Sequence, residues 1–247
     1  MAVLWTSAVL FLGIQTVVGQ CPAGTKVPIV VAGQPLVDLE RAVGLWHEYY
    51  HLDGGTAADA SAYNLVMNST VLGAYPQPGP TKSYFTSWNY NGYWPQDFPA
   101  TTNLKCSIIS QYGNLTSDGK RKVIANFGQD PNELLSYTYT NLFTDYKLFQ
   151  VLYRCNTPNA DGKNCDDVMA WVHTKVPPPQ LTTTQKSYIE KASDWYLAQI
   201  CKKFSDLIPS RWDMSLPVGL NPACNMALGT GPALPAKLAA AIPIKGF

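Results

Sequence analysis

Eight short runs rich in Val, Ile, Tyr, Phe, Trp and Thr follow one another between Val37 and Thr174, and they constrain the fold more than any other feature. Clusters of Gly, Pro, Asn and Asp separate the runs, which is the pattern of short strands joined by turns. Eight strands at this spacing predict an all-β fold with one antiparallel sheet, closed or doubled. The strands are expected at 43–50, 61–73, 82–93, 104–112, 121–127, 134–142, 146–154 and 167–174.

A single helix is expected after the strands. The sequence Pro177-Pro178-Pro179 marks the change, Thr182 to Thr184 offer N-caps, and the helix should run from about 185 to 206. Apolar residues recur three and four positions apart along it, so we expect it to pack on the outside of the sheet. Residues 225–247 are rich in Ala, Gly and Pro and are expected to form a flexible tail. A GPI-anchor signal is the alternative for this end.

The first 19 residues are apolar and uncharged, which predicts a secretory signal peptide with Gln20 as the mature N-terminus. An uncleaved membrane anchor is the alternative, and no other stretch is long enough for a membrane span. An extracellular destination predicts that the six cysteines form three disulfides, with fifteen pairings open. The sequons at Asn68 and Asn114 predict glycosylation by the same route.

The charge balance excludes one class of partner. The chain has 18 Lys and Arg against 17 Asp and Glu, and its net charge is +1. A nucleic-acid-binding domain carries a clustered excess of positive charge, so binding to nucleic acid is not expected.

The segment His47-Glu48-Tyr49-Tyr50-His51 matches the H-E-x-x-H pattern of zinc proteases. That chemistry needs a helix, on which both histidines bind one zinc ion and the glutamate activates water. On a strand the two histidines would lie about 13 Å apart along the chain. We therefore expect no metal, no cofactor and no catalytic residues, and a zinc protease remains the less favoured alternative.

Three motifs in the right order resemble those of lipocalins. Gly44-Leu45-Trp46 is similar to the G-x-W signature of the first strand, and Thr144-Asp145-Tyr146 is similar to the T-D-Y motif before the seventh. The segment 170–175 resembles the eighth strand, with Lys175 in place of the commoner Arg. The similarity is greatest to the invertebrate bilin-binding branch and to apolipoprotein D. The strand-two cysteine of that branch is absent.

The resemblance implies an eight-stranded antiparallel up-and-down barrel with one C-terminal helix packed outside, spanning residues 20–224. It also implies a structural role for the motif residues, with Trp46 at the barrel floor and Lys175 above its ring. By the same resemblance, Cys21 would pair with Cys155 and Cys106 with Cys224. Cys165 and Cys201 are left to form the third bridge.

The function that the resemblance implies is non-enzymatic binding of a small hydrophobic ligand inside the barrel. The abundance of Tyr and Trp favours a tetrapyrrole, carotenoid or retinoid, with lipids and amines also open. The alternation of side chains along the strands selects ten candidate ligand-binding residues, namely Tyr63, Leu65, Met67, Tyr84, Trp88, Tyr90, Tyr137, Tyr139, Phe149 and Val151. A different hypothesis is a secreted structural or interaction glycoprotein whose barrel is filled by its own side chains.

Overall fold

The computed structural model describes residues 21–31, 37–52, 62–75, 83–95, 104–116, 120–125, 135–221 and 224–226. A two-residue strand, β1 (Val27–Pro28), and a short helix, α1 (Leu39–Ala42), come first. Eight longer strands follow as β2 to β9, at Gly44–His51, Tyr63–Tyr75, Ser83–Pro95, Leu104–Thr116, Lys120–Ala125, Leu135–Thr144, Phe149–Pro158 and Asn164–Thr174. The predicted order of strands is confirmed.

The eight long strands form a closed ring. Each pairs antiparallel with the next, and β2 pairs with both β3 and β9. Closure removes the exposed edges that an open sheet would present. The all-β fold predicted from the strand pattern and the antiparallel barrel implied by the resemblance are therefore confirmed.

Two apolar clusters lie on opposite faces of the barrel wall. The inner cluster contains Trp46, Met67, Trp88 and Trp171. The outer cluster contains Phe149 and the apolar face of the C-terminal helix. Because side chains alternate along a strand, β8 and β9 contribute to both clusters and are buried on both faces.

The C-terminal helix, α2, spans Thr183–Leu197 and packs on the outer cluster as predicted. Thr182 and Gln185 form a reciprocal capping box at its start. The expectation that it continues to residue 206 is wrong. A single 3₁₀ turn follows α2, and Cys201 then adopts the left-handed conformation with φ 59°, which ends the helical run.

The disulfide pairing differs from the expectation at two of three bridges. Cys106 pairs with Cys224 as expected, but Cys21 pairs with Cys201 and Cys155 with Cys165. Cys155 and Cys165 lie on neighbouring strands, β8 and β9, across a short turn. This proximity leaves Cys21 to join the N-terminal arm to the residue that follows α2.

Two further short strands, β10 (Ile208–Pro209) and β11 (Asn225–Met226), were not predicted. β10 pairs with the end of β2, and β11 pairs in parallel with β5. The segment between them crosses the outside of the barrel, where Asn64 receives a hydrogen bond from the backbone N–H of Asp213 and donates to its carbonyl.

The signal peptide predicted at 1–19 lies outside the described residues, as does residue 227 onward of the predicted tail. Within the described ranges, no helix is both long and apolar enough to cross a membrane.

Candidate functional site

The barrel interior is lined by rows of side chains that face one another across neighbouring strands. One row runs through Trp46, Met67 and Tyr90 on β2, β3 and β4. The next runs through Ser69, Trp88 and Gln111 on β3, β4 and β5. Residues directly opposite in an antiparallel pair share a face, so the register identifies the inward set without ambiguity.

Arg154 of β8 points into this interior. It lies opposite Tyr139 on β7 and Met169 on β9, both members of the inner cluster. Its guanidinium carbon is 4.3 Å from the ring centre of Tyr137, 5.4 Å from that of Tyr139 and 5.3 Å from that of Trp171. We call these three rings the aromatic cage. Stacking on ring faces holds the guanidinium in a defined position.

Three of the inward side chains are only partly buried. Tyr90, Tyr137 and Arg154 face inward, yet each keeps part of its surface accessible to solvent. By contrast, Trp46 and Trp88 deeper in the barrel are 0% and 1% exposed. Of the partly buried residues, Tyr137 and Arg154 lie at the aromatic cage, whereas Tyr90 lies in the cross-strand row of Trp46.

Two buried amides also line the interior. Asn141 of β7 lies opposite the inward Leu152 and is 2% exposed, and Gln111 is 4% exposed. Neither amide atom of Asn141, nor the amide oxygen of Gln111, has a hydrogen-bond partner within the described part of the chain. A buried amide without a partner costs about 1–3 kcal/mol, so these atoms suit polar groups of a guest or ordered water.

The Trp46 end of the barrel is closed as the resemblance implies. The Trp46 indole N–H donates to the carbonyl of Ala42 in α1 at 3.0 Å. The Lys175 ammonium lies 3.8 Å from the centre of the Trp46 ring and donates to the carbonyls of Val43 and Leu45. Gly44 has φ 99°, a left-handed conformation that favours glycine.

The second motif forms the turn between β7 and β8. One carboxylate oxygen of Asp145 accepts hydrogen bonds from the backbone N–H groups of residues 147, 148 and 149. The Thr144 hydroxyl accepts from the N–H of Tyr146, which has φ 64°. The Tyr146 hydroxyl accepts from the Asp38 N–H, and the Arg41 guanidinium lies 4.4 Å from its ring centre. These contacts tie the turn to α1.

The H-E-x-x-H segment lies on strand β2, so the helix that a zinc protease requires is absent there. Nδ1 of His47 is 3.3 Å from the carbonyl oxygen of Thr174. A bulge between Glu48 and Tyr50 turns His51 inward, where its ring lies 3.0 Å from the Glu48 carboxylate. Within the described residues, no group of three or more His, Cys, Asp or Glu could hold a metal ion.

Glu48 is 2% exposed and anchors the segment that follows α2. Its carboxylate accepts from the Ser210 hydroxyl at 2.7 Å, and its backbone carbonyl accepts from the Trp212 indole at 2.9 Å. Burial is the largest influence on His47 and lowers its pKa. The motif that resembles a zinc site is therefore part of the barrel wall.

Most of the predicted ligand-binding residues that can be assessed face inward. Six of the ten lie on the inner face, namely Leu65, Met67, Trp88, Tyr90, Tyr137 and Tyr139. The side chain of Tyr84 lies outside the described part of the structure.

Three of the ten face outward. Phe149 and Val151 belong to the outer cluster, and Phe149 makes an edge contact with Tyr188 of α2. Both faces of β8 are apolar, so the sequence does not reveal which one is inside. Tyr63 precedes a bulge at Asn64, which has φ 52°, and its ring lies against Arg211 of the outer segment.

Sequence reasoning missed the inward residues of β8 and β9. Arg154 is the residue of this group that the sequence singles out most clearly, because it is the charged residue within the apolar run Val151-Leu152-Tyr153-Arg154-Cys155. Once Arg154 is known to face inward, the alternation along β8 and the pairing of β8 with β9 place Leu152, Met169 and Trp171 on the same inner face.

No protein-family model and no curated protein sequence matches the chain. Solved structures with a similar fold are found. Insecticyanin from the tobacco hornworm Manduca sexta is 16% identical over 87% of this chain and 95% of its own, with a TM-score of 0.52. Lobster apocrustacyanin A1 is 11% identical over 73% of this chain and 82% of its own, at a TM-score of 0.49.

The amine-binding protein of Rhodnius prolixus, solved as its tryptamine complex, is 13% identical over 72% of this chain and 83% of its own, with a TM-score of 0.38. At these identities the similarity to insecticyanin shows a shared fold.

Proposed function

We propose that the protein is a secreted carrier that binds one small hydrophobic ligand inside the barrel and performs no chemical reaction. The observation that carries this proposal is the aromatic interior around Tyr137 and Arg154, two inward residues that are only partly buried. Apolar ligand surface transferred from water to such an interior contributes about 25 cal/mol per Å². The unpartnered amide of Asn141 offers a polar contact that would orient the guest.

The seven tryptophans make binding measurable. Trp88 and Trp171 lie in the inner cluster, so a polyene or tetrapyrrole in the interior would quench their fluorescence by energy transfer. We expect saturable quenching when retinol, cis-parinaric acid or biliverdin is titrated into the protein. Protein from a secreting eukaryotic host should also carry a bound small molecule detectable by native mass spectrometry.

The control for quenching is free tryptophan amide at matched absorbance, which corrects for light absorbed by the ligand. A ligand-free, colourless protein that none of the three compounds quenches would contradict the carrier function and favour a barrel filled by its own side chains.

Secretion and glycosylation are separate parts of the proposal. The three disulfides formed by the six cysteines suit an oxidising compartment, and Asn68 lies half-buried on the outward face of β3. We expect the protein to be found in the culture medium with its N-terminus at Gln20. We also expect deglycosylation to shift its electrophoretic mobility, and each of the variants Asn68→Gln and Asn114→Gln to reduce that shift. Retention of the full-length chain inside cells would contradict the signal peptide.

A further inference from the structure

Among the described residues, the guanidinium of Arg154 has no carboxylate partner. None of the ion pairs among the described residues includes it. One terminal nitrogen donates to the Tyr139 hydroxyl at 3.0 Å, and the other contacts the Met169 sulfur at 2.8 Å. Its Nε atom is buried and has no hydrogen-bond partner in the described part of the chain. Removing a charge from water without pairing it is costly, so this is an unusual position for an arginine.

The carboxylates closest to Arg154 in the strand register are already engaged. Asp167 precedes Met169 by two residues on β9, and its carboxylate accepts from the Asn156 amide at 3.1 Å. Glu48 of β2 lies opposite His173, which lies opposite Gln150 of β8. Gln150 is four residues, or about 13 Å, from Arg154 along that strand. The Glu48 carboxylate contacts Ser210 and His51. Among the described residues, no carboxylate therefore forms an ion pair with the Arg154 guanidinium.

From this geometry we propose that the ligand of the barrel carries a carboxylate that pairs with Arg154, while its apolar body lies against the other side chains of the inner cluster. The inference rests on the proposed carrier function and names the chemical class of its ligand. A guanidinium fixed by ring stacking presents parallel N–H donors to a carboxylate, and such charge-assisted pairs are the stronger hydrogen bonds of proteins.

The geometry also disfavours one ligand class. Aromatic cages bind organic cations when the space between the rings is empty. Here Arg154 occupies the faces of Tyr137, Tyr139 and Trp171, so an amine placed there would be repelled by a like charge. Conjugated acids are therefore favoured over biogenic amines.

The test compares each acid with its neutral analogue. Retinoic acid is paired with retinol, cis-parinaric acid with its methyl ester, and biliverdin with its dimethyl ester. Each pair shares nearly the same apolar body, so the ratio of dissociation constants isolates the contribution of the charge. We expect the wild-type protein to bind the acid of at least one pair roughly tenfold or more tightly than its neutral partner.

Variants assign this preference to Arg154. Arg154→Gln should remove the preference, so that the ratio of the two dissociation constants within each pair falls to about one. Arg154→Lys should keep part of the preference, because it retains the charge but not the parallel donors. The matched control is Arg41→Gln, which removes an arginine stacked on Tyr146 at the closed end, outside the binding region.

The outcomes separate the inference from the carrier function. Equal affinity for acid and neutral analogue in every pair that binds would overturn the carboxylate assignment and leave the carrier function standing. Binding of none of the six compounds would contradict the carrier function itself. The wild-type comparison needs no variant, so it decides the question even if Arg154→Gln does not fold. A preference that survives in a folded Arg154→Gln protein would also overturn the assignment.

Discussion

Replacing Lys175 with Met should destabilise the closed end of the barrel by about 2–3 kcal/mol. The ammonium lies 3.8 Å from the centre of the fully buried Trp46 ring, and a cation–π contact of this kind contributes about 0.5–2 kcal/mol. It also donates to the carbonyls of Val43 and Leu45 at 3.3 and 3.4 Å. Each such bond adds about 0.5–1.5 kcal/mol, and the partial exposure of Lys175 places the total in the lower part of the summed range.

Urea denaturation followed by tryptophan fluorescence measures this loss. For a chain of this length the same change corresponds to a fall in melting temperature of between about 4 and 12 °C. Lys175→Arg should retain most of the stability, and Lys147→Met, at an exposed position of the β7–β8 turn, is the matched control. If Lys175→Met and Lys147→Met lowered the stability equally, the proposed role of Lys175 at the barrel floor would be refuted.

Three further predictions follow from the packing and the bridges. Peptide mapping without reduction should recover the links 21–201, 106–224 and 155–165, and a Cys21–Cys155 peptide would contradict the structure. Replacing the Cys21–Cys201 pair with serines should cost about 2–3 kcal/mol more than replacing Cys155–Cys165, because the loops close over 180 and 10 residues. Ile189→Ala should cost about 2–5 kcal/mol because Ile189 is 0% exposed under α2, whereas Trp195→Ala, at 54% exposure, should change the stability by less than about 0.5 kcal/mol. Equal losses in urea denaturation would argue against the packing of this helix. Finally, burial lowers the pKa of His47 below its usual 6.5, so the unfolded chain binds this proton more readily than the folded one. The stability that depends on neutral His47 is therefore present above pH 6.5 and is lost as the pH falls through the pKa of His47 in the folded protein. His47→Gln should therefore reduce the pH dependence of the free energy of unfolding in this range.

The strand order and the helix could be predicted because their signals are local. Runs of β-branched and aromatic residues, turn residues and the Thr182 capping box each report on the backbone within a few positions. Within the T-D-Y motif, the contacts of Asp145 are likewise local, because its carboxylate binds three backbone N–H groups of the residues that follow it.

Features that depend on both faces of a strand could not be predicted in this way. On β8 the outward Phe149 and Val151 are as apolar as the inward Leu152, because α2 covers the outer face. A strand buried on both sides loses the polar–apolar alternation that would reveal its orientation. Tyr63 was misassigned for a related reason, since the bulge at Asn64 inverts the alternation and is visible only in the pairing.

The sequence by itself determined the eight strands, the outer helix and the even set of cysteines, whereas the placement of Lys175 above Trp46 was implied by the lipocalin resemblance. Only the tertiary structure decided which cysteines meet, which face of β8 is inside, and that Arg154 lies within an aromatic cage without a carboxylate partner among the described residues. The physical reason is the separation along the chain of the residues that interact. Backbone preferences act between neighbours in the chain, whereas a disulfide or an interior charge depends on segments that meet only when the barrel closes.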